Sequence, residues 1–525
     1  MKNERISVLL ATEGTYPFAN GGVSTWCHTI TQELENVDFE IYAMTGEPKW
    51  STKYALPANV KNVYQIPLWG TEEPSEFTRI DQVFADVYQQ KKQTSDQIIQ
   101  LHFLPLFRNF LAALFHEDVG LDDQIANLHK LYHYFQTFDY KTTLTSEHVW
   151  STFKNYVINE REAEKAVEPV EATLEDLTTA MRWIYHYFMP LSAKIPKTDI
   201  AHTTIAGFGG IVGCISKLEY GTPLLVTEHG VFIRERYFAI SKSKFPPFAK
   251  YFLMRMSVYI TRLIYHLADQ ISPVANFNKK WELQFGAALH KITTIYNGID
   301  PHVFMPGEKP GSTRGTPTVV AAANIIPLKD IETMIRACNI VRKEIPNVQF
   351  RVYGSKQIDP AYTRKCEALI KHLRLQDHFL LAGYHNNPAK IYNEGDVTVL
   401  SSISEAFPYT VLESMACARP VVATDVGGVR EALEGYGILV PPKDAQALAN
   451  GLITLLKDIE LRQRLGKESR ERVLLMFRIS QSVKAYWDTY KALRQDRNKK
   501  AEKQSDHKIR HMSTEDLVLM WKDAL

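Results

Sequence analysis

The chain has 525 residues, 45% hydrophobic and 23% charged, and these proportions are ordinary for a soluble globular protein rather than a disordered or fibrous one. Its length predicts two large domains or about three smaller ones. With 61 basic and 59 acidic residues the net charge is +2, so no global electrostatic field favours nucleic acid or membrane lipid as a partner. The five cysteines include no CxxC pair, so neither a disulfide framework nor a zinc site is predicted.

The amino-terminal segment alternates between strand and helix patterns. An apolar run of strand length at 6–11 is followed by a loop containing Gly21 and Gly22, and then by a helical pattern at 23–34. Further short apolar strands fit 39–43, 63–66, 199–203 and 224–228. Buried strands that alternate with helices predict a parallel sheet covered by helices on both faces.

Between about residues 70 and 197 this alternation stops, and bulky residues recur at helical spacing. We interpret this stretch as a helical insertion, which is either a structural cap or oligomer surface, or a lid over an acceptor site. No stretch approaches 18 consecutive apolar residues, and the apolar run near the amino terminus is too short for an export signal. We therefore expect a cytoplasmic protein without a transmembrane segment, whose membrane contacts are peripheral or made through a partner.

A second strand–helix series follows a boundary near residues 297–301. Its strands fit 318–323, 348–353, 379–382, 397–400, 421–424 and 437–440. The predicted fold class is α/β, with two Rossmann-like doubly wound domains facing a cleft, because such domains bind ligands at the carboxyl ends of their strands. We place the first domain at 1–303, the second at 304–479, a helix that completes the first domain at about 480–494, and a charged tail at 495–525.

The segment at 404–413 carries two carboxylates, Glu405 and Glu413, eight residues apart. Glu405 follows a predicted strand, and Glu413 lies on a helix that begins near Pro408, a residue suited to a first turn. The free N–H groups of Phe407, Tyr409 and Thr410 at this helix start would form an anion site fit for a diphosphate. One carboxylate can then take sugar hydroxyls and the other a ribose diol. Spacing alone leaves a capping or solvated pair as the alternative.

This segment and the stretch at 415–428 (MACARPVVATDVGG) resemble glycosyltransferase family 4. Two further motifs, EGTYP at 13–17 with GGVSTW at 21–26, and TEHG at 227–230, narrow the resemblance to the PelF-type enzymes of Pel exopolysaccharide synthesis. It extends to about Arg494. The resemblance implies a GT-B fold, retention of anomeric configuration and a nucleotide-sugar donor.

Residue roles follow from this resemblance. Gly21 and Gly22 match the loop where backbone approaches the donor diphosphate, and His229 matches the histidine that faces the donor sugar. Lys329 matches the basic residue that binds the diphosphate, while Glu405 and Glu413 match the sugar-binding and ribose-binding carboxylates. His229, Glu405 and Lys329 are the predicted catalytic residues. His202 is expected to be structural.

Asn324 departs from the family pattern, which places an arginine five residues before the lysine. Asparagine can donate a hydrogen bond but brings no charge to the leaving diphosphate, and loss of one preorganised donor typically costs about 10²- to 10³-fold in rate. Either another arginine enters the cleft, with Arg351 and Arg430 as candidates in the same domain, or turnover is slow.

The resulting hypothesis is a retaining glycosyltransferase that uses a UDP-sugar, either UDP-glucose-like or a UDP-N-acetylhexosamine, and a glycan acceptor such as a growing exopolysaccharide. No cofactor or metal is expected, since no Asp-x-Asp motif accompanies these segments. Membrane-bound polysaccharide synthase subunits are expected partners, at the inner face of the membrane. The alternatives are a catalytically weak nucleotide-sugar-binding subunit of a synthase complex, and an epimerase or sucrose-type synthase on the same fold.

Overall fold

The computed structural model describes residues 5–48, 51–79, 81–116, 119–160, 171–311 and 313–510. Their strands form two six-stranded sheets, and every strand pairing is parallel. The strands are β1 (Ile6–Glu13), β2 (Val37–Thr45), β3 (Val60–Pro67), β4 (Ile200–Thr203), β5 (Leu224–Glu228), β6 (Gln270–Pro273), β7 (Thr318–Ala322), β8 (Gln349–Tyr353), β9 (Phe379–Gly383), β10 (Val397–Leu400), β11 (Val421–Thr424) and β12 (Ile438–Val440).

The α-helices of the described residues lie between and beside these strands. They are α1 (Gly22–Glu33), α2 (Ser75–Thr78), α3 (Phe84–Gln93), α4 (Asp96–Ile98), α5 (Leu104–Phe115), α6 (Leu121–Thr137), α7 (Tyr140–Leu144), α8 (Glu147–Asn155), α9 (Leu174–Tyr187), α10 (Gly210–Tyr220), α11 (Phe232–Lys242), α12 (Pro247–Leu267), α13 (Lys279–Gln284), α14 (Ile331–Glu344), α15 (Pro360–His372), α16 (Pro388–Glu394), α17 (Tyr409–Ala416), α18 (Val429–Leu433), α19 (Ala445–Lys457), α20 (Ile459–Met476) and α21 (Ile479–Arg510). Two π-helical turns, Ile99–Phe103 and Tyr156–Glu160, lie in the first half of the chain.

Both sheets have the same strand order. The first runs β3-β2-β1-β4-β5-β6, and the second, read from its other edge, runs β9-β8-β7-β10-β11-β12. In each sheet the strand order therefore reverses beside the first strand of the lobe. This is the Rossmann arrangement, in which ligands bind outside the carboxyl ends of the strands at the reversal point. We call the first sheet with its helices the first lobe, and the second sheet with its helices the second lobe. The reversal points lie between β1 and β4 in the first lobe, and between β7 and β10 in the second.

Helices α2 to α9 form the insertion between β3 and β4, as the sequence predicts. Their aromatic and aliphatic side chains merge with those of α10 and α12 in one hydrophobic core. By length and composition alone, the helical stretch Asp96–Phe115 is long and apolar enough to cross a membrane. In this fold, however, Phe103, Phe107, Phe110 and Leu111 of that stretch are buried in the core of the first lobe.

The last helix returns to the first lobe. Tyr486 and Tyr490 of α21 are buried with Trp26 in a cluster that lines β1 and β2. This helix continues to Arg510, so the prediction that it ends near residue 494 is wrong. Arg497 donates hydrogen bonds to the backbone oxygens of Thr198, Asp199 and Tyr220, which anchors part of the charged stretch. Residues 511–525 of the predicted tail lie outside the described residues.

The chain passes twice between the lobes, and the two crossings lie side by side. Ile299 pairs with Arg478 in an isolated bridge, and the Ile299 N–H donates to the Phe477 oxygen at 2.8 Å. A Cβ on Gly298 would lie 2.6 Å from the Arg478 oxygen, which is too close for any side chain. Gly298 therefore allows the two connecting segments to touch. This contact keeps the carboxyl ends of the β-strands in the two lobes facing each other.

Candidate functional site

Two loops at the reversal point of the second lobe bring Lys329 and Glu405 together. Lys329 ends the turn that follows β7, and Glu405 lies in the loop that follows β10. The Lys329 Nζ donates to Glu405 Oε1 at 2.6 Å, and Ser402 Oγ donates to the same oxygen at 2.6 Å. The loops are also joined through backbone, because Ile403 N donates to the Leu328 oxygen at 2.9 Å. The predicted pair is thus one connected unit, with 22% and 11% of the two side chains exposed.

Gly427 and Gly428 fix the position of the Glu405 loop. Gly427 has a φ of 59°, and a Cβ on it would lie 1.6 Å from the backbone carbonyl oxygen of Glu405. The Gly428 N–H donates to the Ala406 oxygen at 2.7 Å. A left-handed backbone beside another backbone requires glycine. These two glycines of the 415–428 motif therefore hold the backbone of the loop that carries Glu405.

Helix α17 carries Glu413 on its second turn. Pro408 occupies the position just before the helix, which starts at Tyr409, one residue later than predicted. Tyr392 of α16 donates its hydroxyl hydrogen to Glu413 Oε2 at 2.5 Å. Burial raises the pKa of the Glu413 carboxyl to about 7, and the tyrosine hydrogen bond opposes this effect. Near neutral pH this carboxyl is therefore poised between its protonated and ionised forms.

The neighbouring predicted residues contribute in different ways. The Phe407 side chain packs on Tyr296 and Phe477 in the core, so only its backbone N–H could contact the donor, as the sequence predicts. Its carbonyl accepts from Asn297 Nδ2 at 3.2 Å. Thr410 Oγ1 is buried and has no hydrogen-bond partner among the described residues. The first N–H groups of α17 have no acceptor within the helix, as at any helix start.

The first lobe presents its glycine loop to this helix. Gly21 and Gly22 lie at the start of α1, and a Cβ on Gly22 would lie 3.7 Å from the Tyr409 ring. The strand ends of the two lobes thus face each other across a gap that we call the cleft, bounded by Gly22, Tyr409 and the loops of Lys329 and Glu405. The predicted glycine loop and helix start are neighbours across this gap.

His229 follows β5 at the same edge of the first sheet. Its ring makes an edge-to-face contact with Trp26, with 4.6 Å between centroids. Burial lowers the pKa of the His229 imidazole to about 3, so the ring is neutral at physiological pH. Its Nε2 is buried and without a hydrogen-bond partner among the described residues. His202, in contrast, contacts Tyr490 Oη at 2.7 Å and Thr227 Oγ1 at 2.8 Å, and is structural as expected.

Arg234 is a site residue that the sequence analysis missed. It lies on the first turn of α11 in the first lobe, and its Nη1 donates to Ser404 Oγ of the second lobe at 2.8 Å. Ser404 is the residue before Glu405, so a guanidinium from the opposite lobe is hydrogen-bonded to the loop that carries Glu405. Only its position six residues after the predicted strand at 224–228 could have drawn attention to it.

The arginines proposed from sequence have other partners. Arg351 pairs with Glu394, and Arg430 pairs with Asp425 on an exposed surface, so a role for either as a second cation in the cleft stays a prediction. Asn324 is exposed, and its Oδ1 accepts from the Ser355 N–H at 3.0 Å. It therefore ties the loop after β7 to the loop after β8.

The cleft therefore combines two cations, a helix start and two carboxyl groups in different surroundings. Arg234, Lys329 and the N–H groups at the start of α17 favour a bound anion. Glu405 is engaged by Lys329, and Glu413 has an environment that lets it ionise near neutral pH. Such a set fits a ligand that joins a diphosphate to groups rich in hydroxyls.

Comparison with known families agrees with this architecture. The family model described as Domain of unknown function (DUF3492) matches residues 6–290, which is more than half of the chain, and that described as Glycosyl transferases group 1 matches residues 308–472. The chain belongs to the DUF3492 family, and its second lobe carries the glycosyl transferases group 1 region. It is 29% identical over 219 residues to N-acetyl-alpha-D-glucosaminyl L-malate synthase of Bacillus anthracis, covering 40% of this chain and 56% of that protein. The matches to the first curated relatives span about half of those relatives' length.

Solved structures show the same fold. Sucrose-phosphate synthase from Thermosynechococcus elongatus superposes with a TM-score of 0.58 at 18% identity, covering 93% of this chain and 99% of that chain. Anabaena HepE in complex with UDP and glucose superposes with a TM-score of 0.55 at 14% identity, covering 92% of this chain and 99% of that one. The predicted GT-B fold is therefore confirmed.

Proposed function

We propose that this chain is a retaining glycosyltransferase that transfers a sugar from a UDP-sugar to a glycan acceptor. The observation that carries the proposal is the Lys329–Glu405 pair at the reversal point of the second lobe, with Arg234 of the first lobe beside it and α17 starting next to it. A donor bound there would have its diphosphate near two cations and a helix start. Its ribose would lie along α17 towards Glu413.

Lys329 has to change partner when the donor binds. Its ammonium is engaged by Glu405, 2.6 Å away, and a diphosphate would compete for the same group. Glu405 would then accept hydrogen bonds from hydroxyls of the donor sugar. The ion pair thus holds both side chains in position before the donor arrives, and preorganised charge of this kind favours a developing negative charge on a leaving group.

The reaction we infer is a front-face displacement. The bond between the anomeric carbon and the diphosphate oxygen breaks, the acceptor hydroxyl attacks the same face, and its proton passes to the departing diphosphate. Lys329, Arg234 and the start of α17 stabilise the charge that develops on the leaving group, so no metal ion is needed. Neutral His229 lies at the first-lobe side of the cleft, where its unpartnered Nε2 can exchange a hydrogen bond with the donor sugar.

The choice of UDP rests on two supports. HepE, which shares the fold, was solved with UDP and glucose bound. The PelF-type motifs at 13–17, 21–26 and 227–230 point to the same nucleotide. With them we propose a PelF-type role in exopolysaccharide synthesis, in the cytoplasm, with membrane-bound synthase subunits as partners. UDP-glucose-like and UDP-N-acetylhexosamine donors both fit this role.

A catalytically weak nucleotide-sugar-binding subunit is the second candidate. Asn324 favours this candidate. The family pattern has a positively charged side chain at this position, whereas the Asn324 side chain is neutral and accepts a hydrogen bond from the Ser355 backbone N–H. Arg234 weakens it, because it restores a cation from the opposite lobe. The two candidates share donor binding and differ in turnover.

Calorimetry with UDP, ADP and GDP tests donor binding, which both candidate functions share. We expect UDP to bind most tightly, and Glu413→Ala to weaken it by removing a charge-assisted hydrogen bond worth about 1.5–3 kcal/mol. Glu434→Ala, a change to an exposed carboxylate in the same lobe, is the matched control and should bind UDP like the wild type. Equal affinity for UDP in Glu413→Ala and wild type would overturn the ribose assignment. Preference for ADP or GDP would overturn the donor class.

A further inference from the structure

Two histidines and a glutamate converge on the surface of the first lobe, away from the cleft. His129 and His133 lie one turn apart on α6 of the insertion, and Glu219 lies near the end of α10. His129 Nε2 is 3.0 Å from Glu219 Oε2, His133 Nε2 is 3.2 Å from the same oxygen, and the two Nε2 atoms are 3.1 Å apart. The three atoms form a nearly equilateral triangle.

Hydrogen bonds alone do not explain this triangle well. Each imidazole Nε2 carries at most one hydrogen, and that hydrogen points along the ring axis towards one acceptor. If both rings donate to Glu219, the two Nε2–H groups face each other at 3.1 Å. If one ring donates to the other, the accepting Nε2 has no hydrogen for Glu219. At least one of the three close contacts is therefore left without a proton to bridge it.

A metal ion lying just outside the plane of the triangle would bind all three atoms at once. Zinc binds histidine nitrogen and carboxylate oxygen at about 2.0–2.2 Å, so two ligand atoms of a tetrahedral site lie about 3.3–3.6 Å apart. The observed separations of 3.0–3.2 Å are within a few tenths of an ångström of that edge. Two histidines four residues apart on one helix are a suitable pair, because they share a face of that helix.

We propose that His129, His133 and Glu219 form a binding site for a divalent transition-metal ion, with zinc as the ion that fits best. Two imidazoles and a carboxylate leave one tetrahedral position, and water can fill it because the His133 side chain is 55% exposed. Copper, nickel and cobalt would bind the same nitrogen ligands, whereas magnesium and calcium prefer sites made of oxygen.

The site joins the insertion to the lobe that carries it. His129 and His133 belong to α6, and Glu219 belongs to α10, which packs between α6 and the sheet. α10 starts near the cleft, where Gly209 N donates to Glu13 Oε2, and Glu219 lies ten residues further along, about 15 Å down the helix axis. The metal would therefore fasten α6 to α10 and would take no part in sugar transfer. This inference is independent of the proposed function.

Metal titration of the untagged full-length chain tests the proposal. After treatment with EDTA and dialysis, zinc chloride should bind with a stoichiometry of one at this site and raise the melting temperature. Cobalt chloride should give the visible absorption of a tetrahedral ion. Magnesium chloride should give neither change.

Variants assign the site. His133→Ala and Glu219→Gln should each weaken zinc binding by more than about tenfold, since even loss of an outer partner of a metal ligand typically costs 10- to 100-fold. His148→Ala, an exposed histidine on α8, is the matched control and should bind like the wild type. Metal content and the cobalt spectrum are read on protein whose far-ultraviolet circular dichroism equals that of the wild type, so altered folding cannot imitate the result. Wild-type chain that takes up no zinc, or the same zinc affinity in the double variant His129→Ala/His133→Ala, would overturn the proposal.

Discussion

Arg234 reaches from the first lobe to the loop that holds Glu405. Its hydrogen bond to Ser404 Oγ places a permanent positive charge where the leaving diphosphate of the proposed reaction would gain charge. We predict that Arg234→Ala lowers kcat for UDP release by about 10²- to 10³-fold with a smaller effect on KM, as expected when stabilisation appears mainly in the transition state. Arg234→Lys should recover part of the loss.

The control for this variant lies on the same helix. Lys242 is an exposed cation in the last turn of α11, and Lys242→Ala should leave kcat unchanged. A kcat for Arg234→Ala equal to that of the wild type would mean that this guanidinium only bridges the lobes. Asn324→Arg, which adds the charge of the family pattern, should then become the variant that raises kcat.

Glu413 gives the proposed UDP site a dependence on pH. Burial holds its pKa at about 7, and the ionised carboxylate is the better acceptor for a ribose hydroxyl. We predict that UDP affinity, measured by calorimetry, rises as the pH is raised through about 7, and that Glu413→Gln removes this rise. A parallel rise in the variant would assign the dependence to another group.

The same carboxyl affects folding stability with a defined sign. Its folded pKa, about 7, lies above its unfolded value of 4.5, so the folded state holds the proton more tightly. The resulting stabilisation is fully present below pH 4.5 and is lost as the pH rises through about 7. The free energy of unfolding of the wild type, measured in urea and compared with that of Glu413→Gln, should therefore fall as the pH is raised from 4.5 to about 7.

At the residue scale, the sequence was sufficient where the site is local. Glu405 and Glu413 are eight residues apart in one loop–helix segment, and their motif predicted them together. Arg234 and Ser404 are 170 residues apart on different lobes, so no spacing rule connects them. The cluster of His129, His133 and Glu219 shows the same limit. The spacing of the two histidines can be read from the sequence, but the proximity of Glu219, 90 residues after His129, cannot.

Among the elements, buried strands were predicted well and the last helix was not. Strands β7, β10 and β11 of the second lobe were found because each is a short apolar run buried on both faces. Strand β6 was not predicted, since Gln270–Pro273 is short and carries Gln, Ser and Pro. The charged stretch after residue 494 suggested a tail, but side chains such as Arg497 reach backbone oxygens of the first lobe, which the composition could not show.

The packing of α21 on the first lobe depends on a buried polar contact. Tyr490 Oη lies 2.7 Å from His202 Nδ1, and burial lowers the pKa of that imidazole to about 3. Tyr490→Phe should lower the free energy of unfolding by about 1–3 kcal/mol, because it leaves a buried nitrogen without a partner. Tyr237→Phe, which removes an exposed hydroxyl, should cost close to nothing. Equal stability of wild type and Tyr490→Phe in urea would contradict this role.

For the whole molecule, two sheets of identical strand order face each other across one cleft. The sequence predicted this arrangement because each half repeats the same alternation of strands and helices. It could not predict how near the lobes lie, which depends on contacts such as Gly298 against Arg478 and Gly22 against Tyr409. These contacts bring the residues of both lobes that are predicted to bind the sugar donor to the same cleft.

The most direct test of this account is the rate of UDP release from a panel of UDP-sugars by the purified chain, with an acceptor glycan and excess EDTA, compared with that of Lys329→Ala. We expect that at least one UDP-sugar is turned over, that Lys371→Ala on the exposed face of α15 matches the wild type, and that Lys329→Ala is slower by about 10²- to 10³-fold. Release of UDP at the same rate by wild type and Lys329→Ala, or no turnover of any UDP-sugar, would contradict it.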